Sequence, residues 1–385
     1  MSRTPSVLFQ NEDKSVILLD LPKSLEEGQV LSNELHGDRE PRLRRLISTA
    51  PPEEPFKLPE PKKQSFQHAP DPAAQVAELM TLARVNAALE EIQQTYSGPW
   101  CHPRTYDESR PSDSGEGSSQ KRKSMSMQSK CSNDQVIPPE SPRIMTPKDS
   151  HYLEGTIRDR RQDLIETAPL FDLILMDPPW PNRSARRKQR GSTYTTADGL
   201  SSTRDLLANT PVRSKLGPDG LVAVWVTNNH SYVDLLTSPR NGIFAEWGVE
   251  LVDTWTWLKV TTTGEPIFDV ESQWRKPWER LLLARRVGSP APKLSSGGKV
   301  IVTVPDAHSR KPCLRSLLEC ALPTDYTALE VFARNLTAGW WSWGDQVLMF
   351  QAPQHWHNPD HDEPGSTETS DSRSAEAQKR CRDTS

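Results

Sequence analysis

The sequence has few of the features that mark secreted, membrane-spanning or zinc-binding proteins. Its 385 residues contain no apolar stretch near the roughly 20 residues that cross a bilayer, and no apolar signal segment stands at the N-terminus. The five cysteines form no Cys-x-x-Cys pair, and their odd number does not suggest a disulfide framework. We therefore expect a soluble intracellular protein that binds no metal.

The composition also argues against a packed core along the whole chain. The chain has 34 prolines and a mean hydropathy of -0.68, so we predict one compact domain with flexible flanks. The formal net charge of -4 says little about anionic partners, because basic residues are clustered locally. The densest basic cluster lies between Arg183 and Arg190.

Outside one central region the sequence predicts little packed structure. Residues 1–70 contain only brief apolar stretches, such as Val16 to Leu19, and we expect them to be poorly ordered. The segments 104–148 and 355–385 have the composition of a disordered linker and a disordered tail.

One amphipathic helix is predicted over residues 71–98. Asp71 and Pro72 suit its first positions, and Gly98 ends it. Its apolar residues repeat at three- and four-residue steps: Leu82, Val85, Leu89, Ile92 and Tyr96. Such a stripe is typical of a helix that packs on the main domain, which we favour over a helix that recruits a partner.

Repeated strand and helix patterns mark residues 150–352 as the folded domain. Four short, apolar stretches predict buried strands: Phe171 to Met176, Leu221 to Val226, Lys299 to Val304 and Ala328 to Ala333. Helical patterns fall between them. This alternation predicts an α/β fold with a mostly parallel sheet and helices on both faces.

Polar residues follow three of these strands. Asp177 comes directly after the first strand, Asn228 follows the second and Arg334 follows the fourth. In mainly parallel sheets, ligands bind beyond the carboxyl ends of the strands. We therefore expect these three residues to share one site.

The tetrapeptide Asp177-Pro178-Pro179-Trp180 has the chemistry to hold an exocyclic ring amine for alkylation. Such an amine is a poor nucleophile because its lone pair is delocalised into the ring. An ionised Asp177 can accept one N–H group, and the Pro178 carbonyl can accept the other. The two prolines fix the backbone and remove competing donors. Trp180 offers a face on which an extruded base can stack. The alternative is an ordinary turn after a strand.

The residues around this tetrapeptide resemble a known family. The motifs are, in order, Asp177 to Arg187, Trp225 to Asn228, Trp255 to Lys259, His308 to Pro312 and Phe332 to Leu336. They resemble the methyltransferase-A-seventy family of adenine N6-methyltransferases, over roughly residues 150–352. The resemblance implies a Rossmann-like class I methyltransferase fold with a permuted motif order, because the tetrapeptide precedes the cofactor segment and no Gly-x-Gly-x-x-Gly motif is present.

The resemblance also implies S-adenosylmethionine as cofactor. The implied cofactor-binding residues are Asp159, Asp177, Lys311, Phe332, Arg334, Asn335, Asp345 and Gln346. Arg334 and Asn335 would hold the ribose hydroxyls, Lys311 would contact the carboxylate, and Asp159 would lie near the adenine. The family usually has asparagine where this chain has Asp345, and a carboxylate has no donor to replace the amide.

The basic stretch after the tetrapeptide would lie at the mouth of the pocket, where phosphates pass. We interpret it as a nucleic-acid contact rather than a solvated loop. The candidate substrate-binding residues are Asn182, Arg183, Arg186, Arg187, Tyr194, Asn228, Trp257, Lys259 and Glu279. By resemblance, Lys259 faces the substrate, while Tyr194 and Asn228 frame the target nucleotide. Core packing explains Trp257 equally well.

These observations predict S-adenosylmethionine-dependent methylation of the N6 amine of adenine in nucleic acid. The resemblance favours RNA, in particular an internal adenosine of a small nuclear RNA, with or without a 2'-O-methyl group. Adenine in DNA and an inactive nucleic-acid-binding scaffold are the alternatives. The resemblance further implies activity without an obligate protein partner, and the expected substrate implies residence in the nucleus.

Overall fold

Strands and helices alternate along the chain in the computed structural model. The structure describes residues 5–35, 37, 41, 43–57, 72–106, 144–181, 199–272, 275–290, 294 and 297–357. The strands are β1 (Val7–Gln10), β2 (Val16–Leu19), β3 (Arg45–Leu46), β4 (His151–Glu154), β5 (Phe171–Met176), β6 (Leu216–Val226), β7 (Val249–Lys259), β8 (Trp278–Arg286), β9 (Val300–Thr303), β10 (Ala328–Val331), β11 (Trp341–Gly344) and β12 (Trp356–His357). The helices are α1 (Leu21–Glu27), α2 (Ser32–Leu35), α3 (Pro72–Thr95), α4 (Ile157–Thr167), α5 (Leu200–Ala208), α6 (Val212–Lys215), α7 (His230–Thr237), α8 (Ile243–Trp247) and α9 (Arg315–Leu318). Among the described helices, none is long and apolar enough to cross a membrane.

Ten of these strands form one sheet, in the order β1-β2-β9-β7-β8-β6-β5-β10-β11-β4. β1 is antiparallel to β2, and β8 is antiparallel to both β6 and β7. The other neighbouring pairs are parallel. The predicted α/β fold with a mostly parallel sheet is therefore confirmed. The antiparallel direction of β8 was not predicted, and it separates the parallel strands into two groups.

The strand boundaries differ from the predicted ones where the backbone changes conformation. β5 has the predicted ends, whereas β6 begins earlier, at Leu216. β9 is one residue shorter than predicted at each end. β10 ends at Val331 rather than Ala333, because Phe332 adopts a left-handed φ of 60° that cannot continue a strand.

The central strands are buried on both faces, as the apolar stretches predicted. Ile174 and Met176 of β5 pack in the cluster that also contains residues of α4, α5, α7 and α8. Leu173 and Leu175, which point to the other face, pack with residues of α1 and α9. Helices therefore cover both faces and leave the carboxyl ends of the parallel strands as the place for a site.

The described part of residues 1–70 does not fit the expectation of poor order. β2 lies inside the sheet between β1 and β9, and Val16 to Leu19 are at most 6% exposed. Asp20 caps α1 by accepting a hydrogen bond from the Lys23 backbone N–H. The apolar stretch is too short to fold alone, but it pairs with β9, a partner far along the chain that local patterns cannot reveal. Residues 58–71 lie outside the described residues.

The predicted helix forms as α3, from Pro72 to Thr95. Val85, Leu89 and Ile92 are buried against residues of β2, β7 and β9. This face packs on the main domain, as the apolar stripe favoured. Most of the predicted linker and tail, residues 107–143 and 358–385, lies outside the described residues.

The ends of those two segments are ordered where the structure describes them. Thr105 forms a parallel bridge with Ile47, and Trp356 belongs to β12, which pairs with β3. The predicted boundaries at residues 104 and 355 therefore lie a few residues too close to the domain.

Candidate active site

A cavity of about 320 Å³ opens at the carboxyl ends of β4, β5, β10 and β11. It is lined by Gly155, Thr156, Ile157, Arg158, Asp177, Pro179, Ser202, Asp205, Leu206, Asn209, Phe332, Arg334, Gly344, Asp345 and Gln346. A cavity of this size suits a small-molecule ligand. Its place at the strand ends is the one expected from the parallel sheet.

The backbone of the cavity wall has unusual conformations at two points. Gly155 has a φ of 143°, which favours glycine, and a Cβ there would come within 2.7 Å of the Arg160 side chain. Its N–H donates to the Gly344 carbonyl oxygen at 3.1 Å. Phe332 holds its φ of 60° despite having a side chain, and such conformations occur preferentially at functional sites.

Asp177 carries the central negative charge of the site. It follows β5 directly, and its side chain is 18% exposed. Lys311 Nζ lies 3.1 Å from Asp177 Oδ2, and Arg334 Nη2 lies 3.8 Å from the same oxygen. Arg334 also donates from Nη1 to Ser309 Oγ at 2.6 Å. Two cations from different loops thus hold one carboxylate oxygen at the cavity wall.

A second carboxylate lies behind this contact. Glu279 Oε2 is 3.1 Å from Lys311 Nζ, and Glu279 also pairs with Lys259. Burial by itself would raise the pKa of Glu279, but Lys311 and Lys259 outweigh burial and lower its pKa to about 2. Burial likewise acts to lower the pKa of Lys311, but Asp177 and Glu279 raise it above its ordinary value. Glu279 and Lys311 are therefore both charged at neutral pH.

Glu330 is a further acidic residue near Asp177. It lies on β10, opposite Leu175 of β5. Burial and the charge of Asp177 raise its pKa to about 7, and Arg334 opposes this shift. Strongly shifted carboxyl groups are common at functional sites, and this residue was not among the predicted site residues.

Trp180 does not offer an open face in the way the sequence predicted. It is 7% exposed, and its ring stacks on Tyr232 with the ring centroids 4.7 Å apart. Its indole N–H donates to the Trp225 carbonyl oxygen at 2.7 Å. The indole therefore anchors the tetrapeptide to β6 and α7, because a buried tryptophan needs a partner for its N–H.

The Pro178 carbonyl is also less free than predicted. The Trp180 backbone N–H donates to it at 2.7 Å. The prolines remove their own N–H groups, but the turn brings the next donor back onto the carbonyl. A carbonyl oxygen has two lone pairs, so one position remains for a second donor.

The predicted cofactor residues divide into two sets. Asp177, Phe332, Arg334, Asp345 and Gln346 line the cavity. Three others do not line it: Asp159, Lys311 and Asn335.

The reasons for two of these differences are local. Asp159 accepts a hydrogen bond from the Thr156 hydroxyl at 2.7 Å and belongs to the N-cap of α4. Lys311 is engaged by Asp177 and Glu279 rather than facing the cavity. The adenine contact of Asp159 and the carboxylate contact of Lys311 stay predictions.

Four predicted substrate residues fall within the described residues, and they lie on the β6 and β7–β8 side of Asp177. Asn228 donates to the Trp278 carbonyl oxygen. Trp257 is 3% exposed and packs edge-on against Trp225, so it is a core residue. Lys259 and Glu279 form the ion pair described above. The remaining candidates lie outside the described residues: Asn182, Arg183, Arg186, Arg187 and Tyr194.

Several cavity residues were missed by sequence reasoning. Gly155 to Arg158 follow β4, a strand whose burial pattern is mostly exposed and gave no apolar signal. Asp205 and Asn209 are four residues apart, which places them on one side of the chain at the end of α5. If β4 had been predicted, Gly155 would have been a candidate, because loops after parallel strands form such sites. No sequence signal pointed to Asp205.

The fold and the cavity together define the class of this protein. A mostly parallel sheet is flanked by helices, and its ligand-sized cavity, with Asp177 in its wall, lies at the carboxyl ends of its strands. This arrangement is consistent with a class I methyltransferase fold.

Comparison with known proteins agrees with this class. The sequence profile of the MT-A70 family matches residues 171–346. The chain is 49% identical over 353 residues to the N6-methyladenosine RNA methyltransferase MTA1 of Cryphonectria parasitica, covering 91% of this chain and 94% of the relative. The chain belongs to the MT-A70 family, which places it among the adenine N6-methyltransferases.

Other relatives are similar over little more than half of this chain. The N(6)-adenine-specific methyltransferase METTL4 of Homo sapiens is 32% identical over 218 residues, which cover 54% of this chain and 43% of METTL4. The DNA N6-methyl methyltransferase of Caenorhabditis elegans is 32% identical over 229 residues, which cover 58% of this chain and 59% of the relative. The names of these relatives therefore include enzymes of both RNA and DNA.

Proposed function

We propose that this chain transfers a methyl group from S-adenosylmethionine to the N6 amine of adenosine in RNA. The observation that carries the proposal is Asp177, a carboxylate held by Lys311 and Arg334 at the wall of a ligand-sized cavity. The 49% identity to a protein named as an RNA methyltransferase favours RNA as the substrate.

The cavity residues fit S-adenosylmethionine. Ile157 and Phe332 offer apolar surface to a base, and the Gln346 amide offers partners to hydroxyl groups. Arg334 and Asp177 supply opposite charges for an amino-acid group. Bound there, the cofactor would supply an electrophilic methyl group on a sulfonium.

The residues around Asp177 can prepare the adenine amine for attack. Both ion pairs of Asp177 among the described residues are made by Oδ2, which leaves Oδ1 to accept an amine N–H. The free lone pair of the Pro178 carbonyl can accept the second N–H. Holding both hydrogens localises the nitrogen lone pair. As the nitrogen would form its bond to the methyl carbon, the carbon–sulfur bond of the sulfonium would break with its electron pair left on sulfur, and one amine proton would leave toward Oδ1 of Asp177.

A methyl-transfer assay with the purified full-length chain tests this function. Matched RNA and DNA oligonucleotides are compared, with and without a 2'-O-methyl group on the target adenosine. We expect transfer to RNA, and a loss of at least about 100-fold in Asp177→Asn because the acceptor for the amine proton is removed. Calorimetry should show that the variant still binds the cofactor.

The outcomes separate the alternatives. Transfer to DNA alone would identify a DNA methyltransferase, the second candidate favoured by the Caenorhabditis elegans relative. Nucleic-acid binding without cofactor binding would identify an inactive scaffold. Transfer by the isolated chain would also support our further proposal that no obligate protein partner is needed.

We propose the nucleus as the location of the protein, which imaging of a tagged chain tests.

A further inference from the structure

Four side chains form a row of alternating charge that ends at Asp177. Lys259 pairs with Oε1 of Glu279, and Lys311 Nζ lies 3.1 Å from Oε2 of the same carboxylate. Lys311 Nζ then lies 3.1 Å from Asp177 Oδ2. Each oxygen of Glu279 therefore holds a different lysine, and Lys311 bridges two carboxylates.

The position of Lys311 is fixed by its surroundings as well as by these charges. Its side chain is 17% exposed. Its ammonium lies 5.7 Å from the ring centroid of Trp225 and 5.8 Å from that of Trp257. Cations are attracted to aromatic faces at this range, but the attraction depends only weakly on the exact position of the cation. The two carboxylates, Glu279 and Asp177, lie on either side of the ammonium in the row and decide where it rests between the indoles.

The row determines which oxygen of Asp177 is available for chemistry. Lys311 contacts Oδ2, and Arg334 Nη2 lies 3.8 Å from the same atom. A carboxylate whose one oxygen is held in this way cannot rotate freely about its Cβ–Cγ bond. Its other oxygen, Oδ1, is therefore presented in one orientation, and an error of about 1 Å in such a group can cost on the order of 100-fold in rate.

We propose that Glu279 is a positioning residue for methyl transfer, which holds Lys311 against Oδ2 of Asp177 so that Oδ1 is oriented toward the adenine amine. The inference rests on the proposed function of the same site. It differs from a direct role of Glu279 in binding the substrate, because Glu279 then acts only through Lys311.

The electrostatics of the site agree with this role. Lys311 is surrounded by Asp177 after β5, by Glu279 on β8 and by the indoles of β6 and β7. Burial acts to lower the pKa of Lys311, but Asp177 and Glu279 raise it. Without Glu279, the buried ammonium would keep one carboxylate partner instead of two. Its rest position would then shift, and the orientation of Asp177 with it.

The variant Glu279→Gln tests the proposal in the full-length chain. It keeps the shape of the side chain and removes the charge. We expect kcat to fall on the order of 10- to 100-fold, with the KM for RNA and for the cofactor nearly unchanged. We expect Glu279→Asp to recover part of the loss, because it restores the carboxylate.

A matched control is available on the neighbouring surface. Glu78 of α3 also bridges two cations, with contacts of 3.2 Å to Lys276 and 2.7 Å to Arg280. Glu78→Gln removes a similar carboxylate next to the same strand, without touching Asp177, and should leave kcat within about twofold of wild type.

A double variant shows whether Glu279 acts through Lys311. If it does, the double variant Lys311→Met/Glu279→Gln should be no slower than Lys311→Met alone. Without the Lys311 ammonium, Glu279 has no group left to position. Additive losses together with a raised KM for RNA would overturn the proposal and favour direct substrate binding. Unchanged kcat in Glu279→Gln would overturn it as well.

A spectroscopic readout keeps this test separate from the proposed function. Nitrogen-15 spectra of the lysine ammonium groups need no substrate. We expect a Lys311 signal, protected from exchange by two carboxylates, that broadens in Glu279→Gln and persists in Glu78→Gln. An inactive wild type with this pattern would refute the proposed function but not the contact. A signal unaffected by Glu279→Gln would refute the positioning role whatever the activity.

Discussion

At the scale of single residues, Glu330 makes the stability of the fold depend on pH. Burial and Asp177 raise its pKa from 4.5 to about 7, while Arg334 acts in the opposite direction. Because the folded pKa lies above the unfolded one, the native state binds more protons than the unfolded state between these two values. The contribution of Glu330 to stability is therefore full below about pH 4.5 and is lost as the pH rises through about 7.

The variant Glu330→Gln removes this ionisation. Relative to wild type, we expect the variant to gain on the order of 2 to 3 kcal/mol in free energy of unfolding between about pH 4.5 and about pH 8. Urea titrations of both proteins across that range measure it. Other groups titrate in both proteins, so the difference between them isolates Glu330. A difference that does not change with pH would contradict the assignment.

At the scale of secondary-structure elements, the sequence predicted what depends on local pattern. β5 was predicted with its correct ends because its apolar run lies between Pro169 on one side and Asp177-Pro178 on the other. β2 was interpreted as part of a poorly ordered region because its four residues gain burial from elements far along the chain, such as β9 and α3. Only the start of β8, around Glu279, was recognised from the sequence, because polar ends flank its buried centre, Leu281 to Ala284.

The packing of β2 leads to a prediction about stability. Leu18 is fully buried, in the cluster that joins β2 to α3 and β9. We expect Leu18→Ala to lower the free energy of unfolding by about 2 to 5 kcal/mol, because it removes apolar contacts and leaves a cavity. Leu79→Ala on α3, where the side chain is 64% exposed, should change it by less than about 0.5 kcal/mol. Equal effects in denaturant titrations would show that β2 does not contribute to the core.

At the scale of the whole molecule, the location of the site could be predicted but its contacts could not. Asp177 and Arg334 follow neighbouring parallel strands, so topology alone brings them together. The bridge from Lys311 to Glu279, in contrast, joins a loop to β8, a strand whose antiparallel place in the sheet was not predicted. The stacking of Trp180 on Tyr232 depends on how α7 packs beside β5. Such contacts depend on tertiary packing, so they cannot be predicted from the sequence pattern of a single element.

The N-terminal segment is bound to the part of the chain that carries the site. The Gln29 side chain donates to the Leu336 carbonyl oxygen at 2.9 Å, two residues beyond Arg334. Gln351 in turn donates to Gln29 at 2.8 Å. Arg315 donates to the Val30 carbonyl oxygen at 2.7 Å. These hydrogen bonds are buried or partly buried, so their loss would leave polar groups without partners.

Deletion of residues 1–57 should therefore prevent the rest of the chain from forming the site. It removes β1 and β2, which exposes the backbone donors and acceptors of β9 as an open sheet edge and uncovers apolar side chains on both faces. We expect a truncated chain that aggregates or unfolds without a cooperative transition and does not bind S-adenosylhomocysteine. Thermal scans and calorimetry measure both properties. Co-expression of residues 1–57 as a separate chain should restore binding, because the missing strands can pair again. A truncated chain that unfolds cooperatively near the wild-type Tm and binds the ligand normally would show that residues 150–352 form the site alone.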